Sequence, residues 1–216
     1  MQGVSLPFQS AKLNAGLGQC SNPFYIEGIV ADHIEVPFYM KLKLYEVDHD
    51  YIQYLKQFDN HVPEMSYTTN NKFVCGVVLM IDSYQYFAPI SSFHTPQRTN
   101  LIIKDKSRSI SSIRFSFMFP AFDEVLRMKD FSLEAPSYRN LLRSELKFCN
   151  QHLSDIHKKA NEVYKIGSNR KHPLAYLCCD FKLLESKHDE YIQIQIEKET
   201  AVAMEDTENE GENHNV

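Results

Sequence analysis

The chain has 216 residues and contains no apolar run long enough to cross a bilayer, so nothing in it reads as a membrane span. Its N-terminus lacks the basic start and continuous apolar core of a secretory signal, which favours a cytoplasmic chain. Cysteine is sparse. Cys20, Cys75, Cys149, Cys178 and Cys179 are odd in number and never in CxxC spacing, so neither a disulfide framework nor a zinc knuckle is indicated. The adjacent pair Cys178-Cys179 reads as packing rather than redox chemistry. Glycine is equally scarce, seven residues in all, and no Gly-rich phosphate loop occurs, which disfavours an enzyme of small phosphorylated substrates. Metal-ligand spacing is also missing: His152 and His157 are five apart and miss the i, i+4 geometry of a helical zinc pair. No metal or other cofactor is expected.

What remains is a charged, apolar-rich chain of one-domain size, 43% hydrophobic, with a formal charge of −5. The acids are unevenly placed. Residues 197–216 hold seven acids against Lys198, and residues 1–39 hold three against Lys12, leaving 21 basic and 18 acidic residues in the body from Met40 to Ile196. A mildly basic body with an acidic tail suits a polyanion partner. The first 39 residues show no sustained period and read as a poorly ordered extension, with Met40 the expected natural start. The tail from 197 to 216 has no aromatic residue and is expected to be disordered.

Within the body, Met40, Leu42 and Leu44 alternate with Lys41 and Lys43 as in a half-buried first strand. Asp48 or Asp50 can cap a helix through about Phe58, with Tyr51, Tyr54, Leu55 and Phe58 on one face, and His61-Val62-Pro63-Glu64 ends it. The segment Met65 to Asn71 reads as a loop. The most informative stretch follows, from Phe73 to His94: strands at about 73–81 and 84–90 meet at an Asp82-Ser83 hairpin turn, and the second stops at Ser91-Ser92-x-His94. Hydroxyls and an imidazole at a strand end can face solvent on a rigid support. A polar loop is expected at 94–108, then a strand at about 110–119 and a short helix near Val125 and Leu126. Leu142, Leu146, Cys149, Leu153, Ile156, Ala160 and Val163 form one apolar stripe at helical spacing, predicting a single helix from about Tyr138 to Ile166 that Gly167 stops. A last, short helix is expected to start at Asp180 and bury Phe181, Leu183 and Leu184. The pattern describes an α+β domain: a curved, mostly antiparallel sheet packed by helices.

The segments LYEVDHDYIQYLKQFDNHVP, FVCGVVLMI, YFAPISS, FSFMFP, SYRNLLRSELKF and CDFKLLESKHDEY, in this order and spacing, resemble the ToxN/AbiQ family, the toxins of type III toxin–antitoxin systems. The resemblance runs from about Met40 to Tyr191. It implies an SH3-like barrel similar to the Kid/MazF toxins, and an endoribonuclease that cuts RNA without a metal to leave a 2′,3′-cyclic phosphate and a 5′-hydroxyl. It also implies an antitoxin RNA that the toxin cuts into inhibitory repeat units, cellular mRNA as substrate, a closed ring of alternating proteins and RNAs, and a role in abortive phage defence. Tyr67 sits at the family tyrosine position, Asn71 takes a family lysine position with Lys72 beside it, and Ser91 and Ser92 match the family Thr-Ser pair. Phe93 replaces proline and His94 replaces a second lysine.

Chemistry bears on the same residues. RNA self-cleavage needs a group to take the 2′-hydroxyl proton, donors around the phosphorane and an acid for the leaving 5′-oxygen. His94 is suited to proton transfer near neutrality, Lys72 to phosphate charge, Ser91 and Ser92 to orienting donors, and Tyr67 to stacking or donating its hydroxyl. For the RNA path the candidates are Asn71, Arg98, the loop cluster Lys104, Lys106 and Arg108, and the helical row Arg139, Arg143 and Lys147. Bland alternatives exist for each: a strand-ending turn for the serines, a solvated loop for His94, a solvated face for the helical row. A non-catalytic RNA-binding protein on the same scaffold is the alternative from another functional class.

Overall fold

The computed structural model describes residues 41–65 and 72–212. Seven strands form an antiparallel sheet in the order β4-β5-β3-β2-β1-β7, with β6 pairing β3 outside this path. The path is open, with β4 and β7 at its ends. β1 (Lys43–Val47) buries Leu44 and points Lys43 outward, following the alternation of its sequence. β2 (Val74–Ile81) and β3 (Tyr84–Ser91) are joined by the two-residue turn Asp82-Ser83, and Asp82 takes φ 51°, which a short polar side chain tolerates. Gly76 of β2 lies under the Phe87 ring, in space that a Cβ would occupy. Phe87 in turn meets Tyr45 edge to face at 5.5 Å.

β3 has two partners along its other edge. Tyr86 and Phe87 pair with β6 (Phe119–Pro120), whereas Ile90 and Ser91 pair with Ile113 and Ser112 of β5 (Arg108–Arg114). β5 pairs along its length with β4 (Asn100–Asp105), where a polar loop was expected. The charged residues from Lys104 to Arg108 masked the short apolar run Leu101-Ile102-Ile103, whose last member is fully buried. The expected strand at 110–119 is likewise interrupted, by a 3-10 turn at Phe115–Phe117. A 3-10 turn at Asp123–Val125 and β7 (Leu126–Met128) stand where a short helix was expected.

Helix α1 (His49–Lys56) starts at Asp48, whose carboxylate accepts from the Tyr51 N–H at 3.0 Å. The single helix expected over 138–166 is two: α2 (Pro136–Gln151) and α3 (Leu153–Ser168). The break falls at His152, which leaves helical geometry at φ −119° and ψ 30°, and it lets α2 cover β4 while α3 covers β2. β5 and β3 stand between these two strands, so the apolar stripe changes partner at the break. α3 ends one residue past Gly167, at Ser168. Gly167 lies in its last turn, where the Phe181 ring fills the space of a side chain. α4 runs Phe181–Glu212, so helix continues through 197–212, where no order was expected. Extension of a nucleated helix costs little, and Glu, Ala, Met and Lys favour it. The extension from 1 to 39 lies outside the described residues. Among the described residues no helix is long and apolar enough to cross a membrane. Cys75, Cys149, Cys178 and Cys179 are buried and free.

Candidate active site

The end of β3 is held by side chains from several elements. Ser91 Oγ accepts from the Phe93 N–H at 3.2 Å, which turns the chain out of the strand at Ser92. From β5, the Ser112 hydroxyl donates a short hydrogen bond to the Phe93 carbonyl, and the Arg114 guanidinium lies 4.7 Å from both the Phe93 and the Phe117 ring centroids. From β4, buried Asn100 accepts from the Gln97 N–H at 2.9 Å and donates to the Thr95 carbonyl at 3.0 Å. The loop after Ser91 is therefore tied at three places to the sheet, the kind of support that keeps a reactive group in one geometry.

His94 is exposed, and its Nδ1 lies 2.7 Å from the Ser92 carbonyl oxygen. A carbonyl can only accept, so Nδ1 carries a proton, and in the neutral ring Nε2 is left with a lone pair. Lys72 enters from the other side: its N–H donates to the Met65 carbonyl at 2.8 Å, just before β2 runs alongside β3.

Two cavities flank Ser91. One, of about 430 Å³, is lined among others by Lys72, Ser91, Arg114, Phe117, Lys56 and His61. The other, of about 260 Å³, is lined by Lys72, Ser91, Ser92, Ser111, Tyr138 and Glu145 together with apolar neighbours. Lys72 and Ser91 belong to both and form their shared wall. His94 lines neither. On the larger side Lys56 is paired with Glu64 at 2.6 Å and His61 with Asp59 at 2.9 Å. Arg114 is different: burial holds its guanidinium below the usual arginine value, and among the described residues its buried Nε has no hydrogen-bond partner.

The structure thus brings Lys72, Ser91 and Ser92 together and places His94 on the same tied loop, outside both cavities. Tyr67 and Asn71 lie outside the described residues. The RNA-path candidates separate. Lys104 and Lys106 line a groove of about 780 Å³ with His152, whose ring stacks on Phe148 at 4.2 Å. Arg108 opens β5 opposite Asp105. Arg98 is exposed and faces Glu162 of α3, whose carboxyl is held below its usual range chiefly by its hydrogen bond from Lys159 and in lesser part by Arg98. Arg143 and Lys147 are exposed on α2, whereas Arg139 donates to the carbonyls of Ser132 at 3.0 Å and Glu134 at 2.9 Å and so serves the turn before the helix.

Sequence reasoning missed Arg114 and Glu145. Arg114 is the one base in the run ISSIRFSF, directly before a motif that carries the resemblance. Glu145 interrupts the apolar stripe of α2 between Leu142 and Cys149, a carboxyl on a buried face. Both signals were legible, though neither says what the side chain meets.

An open antiparallel sheet, helix-covered, that gathers hydroxyls and cationic groups at one strand end defines an α+β protein with a cleft suited to phosphodiesters. Residues 43–189 match the family described as Toxin ToxN, type III toxin-antitoxin system, and the chain belongs to this family. It is 28% identical over 166 residues to Endoribonuclease ToxN of Pectobacterium atrosepticum, covering 69% of this chain and 94% of that one. It is also 28% identical over 166 residues to Endoribonuclease AbiQ of Lactococcus lactis subsp. lactis, covering 68% of this chain and 88% of that one. The fold is shared with a solved type III toxin described as selectively inhibited by a non-coding RNA pseudoknot (TM-score 0.65, 24% identity, 70% of this chain and 98% of that chain). It is shared too with AbiQ, described as a lactococcal anti-phage endoribonuclease (TM-score 0.65, 24% identity, 71% and 99%).

Proposed function

We propose that this chain is an endoribonuclease toxin of a type III toxin–antitoxin system that cuts RNA at the end of β3. The carrying observation is the convergence of Lys72, Ser91, Ser92 and Arg114 on two adjoining cavities at a strand end tied by β4 and β5. The attacking group is the RNA's own 2′-hydroxyl, so the protein need only move protons and stabilise charge. His94 takes the 2′-proton through Nε2, held in that tautomer by the Ser92 carbonyl. Ser91 and Ser92 donate to the non-bridging oxygens, and Lys72 and Arg114 supply positive charge as the phosphorane forms. A 2′,3′-cyclic phosphate and a 5′-hydroxyl result, with no metal in the step. Tyr67 and Asn71 complete the reading from the segment between Met65 and Lys72.

The substrate is cellular mRNA, and the inhibitor is an antitoxin RNA, whose repeat units the toxin cuts from a precursor and then holds in a closed ring of alternating protein and RNA. Relatives described with a pseudoknot inhibitor and with a processed non-coding RNA that regulates an antiviral system support that partner. Arg98, Lys104, Lys106, Arg108, Arg143 and Lys147 are the phosphate contacts of its path. The curved antiparallel sheet, with irregular register in β2 and in the β4–β5 pair, supports a likeness to the SH3-like barrel of Kid/MazF toxins, and the action on mRNA places the protein in the cytoplasm.

The test is incubation of the wild type and Ser92→Ala with single-stranded RNA in chelator, followed by analysis of the product ends. Cyclic phosphate ends from the wild type and loss of cleavage in the variant are expected. RNA binding without cleavage by the wild type would make it a non-catalytic RNA-binding protein instead.

A further inference from the structure

Glu145 has no part in the chemistry above, yet it lines the cavity that holds Ser91 and Ser92. It lies on α2 and is 2% exposed, and its Oε2 has no hydrogen-bond partner among the described residues. Buried carboxyl oxygens are normally satisfied, and an unpaired one on a residue that lines a cavity marks that residue as a candidate to meet a group bound there. We propose that Glu145 is the general acid of RNA cleavage, donating its proton to the departing 5′-oxygen of the RNA seated against Ser91 and Ser92. The proposal rests on the reading of that strand end as the cleavage site.

The surroundings suit an acid that keeps its proton until it is needed. Burial is the main influence and pushes the carboxyl up to about 7; the Ser111 hydroxyl of β5 acts the other way, although its Oγ, like Glu145 Oε2, makes no hydrogen bond among the described residues. The other groups that face it are Cys75 of β2 and Tyr138 of α2, with Cys149 one turn along the helix and Lys72 across the cavity. Burial pushes the Tyr138 hydroxyl up, and the neighbouring Cys149 thiol together with burial keeps the Cys75 thiol protonated. Of these groups Lys72 is the one basic side chain, and it is shared with the second cavity.

The step balances without a further reactant. The 2′-oxygen forms its bond to phosphorus as the bond from phosphorus to the 5′-oxygen breaks. His94 receives the 2′-proton, and Glu145 gives one to the 5′-oxygen and becomes a carboxylate. Exchange with water returns both residues to their starting forms. A glutamic acid near 7 is suited to this task, because about half of it is protonated at neutral pH and it is still a strong enough donor.

The discriminating probe is an RNA whose scissile phosphate, mapped beforehand from the product ends, carries sulfur in place of the 5′-bridging oxygen. A thiolate leaves without being protonated. Under single-turnover conditions Glu145→Gln should cut ordinary RNA about 10²–10³-fold more slowly than wild type and recover most of that loss on the sulfur substrate. Ser92→Ala should be slow on both. The wild type itself should lose rate above about pH 7 on ordinary RNA, because the acid is then deprotonated, and that limb should vanish on the sulfur substrate. This last comparison needs no variant and stands if Glu145→Gln fails to fold. Equal impairment of Glu145→Gln on both substrates, wild-type cleavage of ordinary RNA by it, or a limb that persists with sulfur would overturn the assignment. Wild-type rates in Ser92→Ala would instead remove the strand end from the site.

Discussion

Among the described residues two glutamates are buried, and their surroundings are opposite. Glu185 of α4 accepts from the Tyr86 hydroxyl at 2.8 Å, the Tyr164 hydroxyl at 2.6 Å and the Lys182 ammonium at 2.8 Å. Tyr164 also stacks on Phe181 at 5.5 Å, and burial together with the Glu185 charge raises the Tyr86 hydroxyl far above the tyrosine range. Glu145 of α2 has the Ser111 hydroxyl before it, an open oxygen and a cavity. A satisfied buried charge joins elements together, here β3, α3 and α4. A buried acid without a full set of partners costs stability, and that cost is retained where the open position serves a ligand or a reaction. The same residue type therefore reads as scaffold in one place and chemistry in the other, and its hydrogen bonds make the difference.

The largest effect that tests this contrast is the loss of Glu185. Glu185→Ala leaves two buried tyrosine hydroxyls without their acceptor and should lower stability by about 3–5 kcal/mol, as for breaking a buried charge pair. Denaturant unfolding measures it, and cleavage per folded molecule should stay near wild type. An equal fall in specific activity would mean that the two glutamates do not differ in role.

Next comes Ser92→Ala, which should slow cleavage by roughly 10²-fold or more, the cost of one preorganised donor, with a thermal midpoint close to wild type. A midpoint that falls along with the rate would turn Ser92 from chemistry to structure.

Glu145→Gln sharpens the contrast from the stability side. Below the ordinary glutamate value of 4.5 both the folded and the unfolded wild type hold the proton. As pH rises from there to about 7 only the folded form keeps it, so the wild type loses stability through that window and levels off above it. The glutamine variant has no such dependence. It should gain on the wild type by about 2 kcal/mol between pH 5 and pH 8, read from melts across pH. Parallel curves for the two proteins would show that Glu145 is ionised in the folded state.

The smallest expected effect separates two arginines on one helix. Arg143→Ala should reduce the salt dependence of RNA binding by about one counterion, while Arg139→Ala should leave that slope unchanged and cost about 1 kcal/mol of stability through its two carbonyl acceptors. Salt titrations of binding in both variants decide it. Equal slopes would place both arginines on the solvated face.

Much of the fold was legible where local chemistry is strong. Asp48 caps α1 because a carboxylate before Tyr51 is enough to satisfy its N–H, and the β2–β3 hairpin follows from two apolar runs around Asp82-Ser83. β4 was not legible because three apolar residues amid lysines make a strand only when β5 lies alongside. The α2–α3 break was hidden because the apolar stripe is continuous across His152 and only the strand it covers changes. The end of α3 was legible to within a residue at Gly167, because helices often end at glycine, but that this glycine also makes room for the ring of Phe181 was not.

The sequence alone determined the order of most elements, the polar end of β3 at Ser91 and Ser92, and the family resemblance, since each depends on residues close together in the chain. Only the tertiary structure decided that Arg114 lies between Phe93 and Phe117, that Lys72 and Ser91 form the wall between two cavities, and that Glu145 faces one of them while Glu185 is fully bonded. Those facts depend on which strands pair and which helix lies over which strand. Residues distant in the chain acquire shared surroundings only when the sheet curves and the helices close on it, and burial and partnership are properties of those surroundings rather than of the residue.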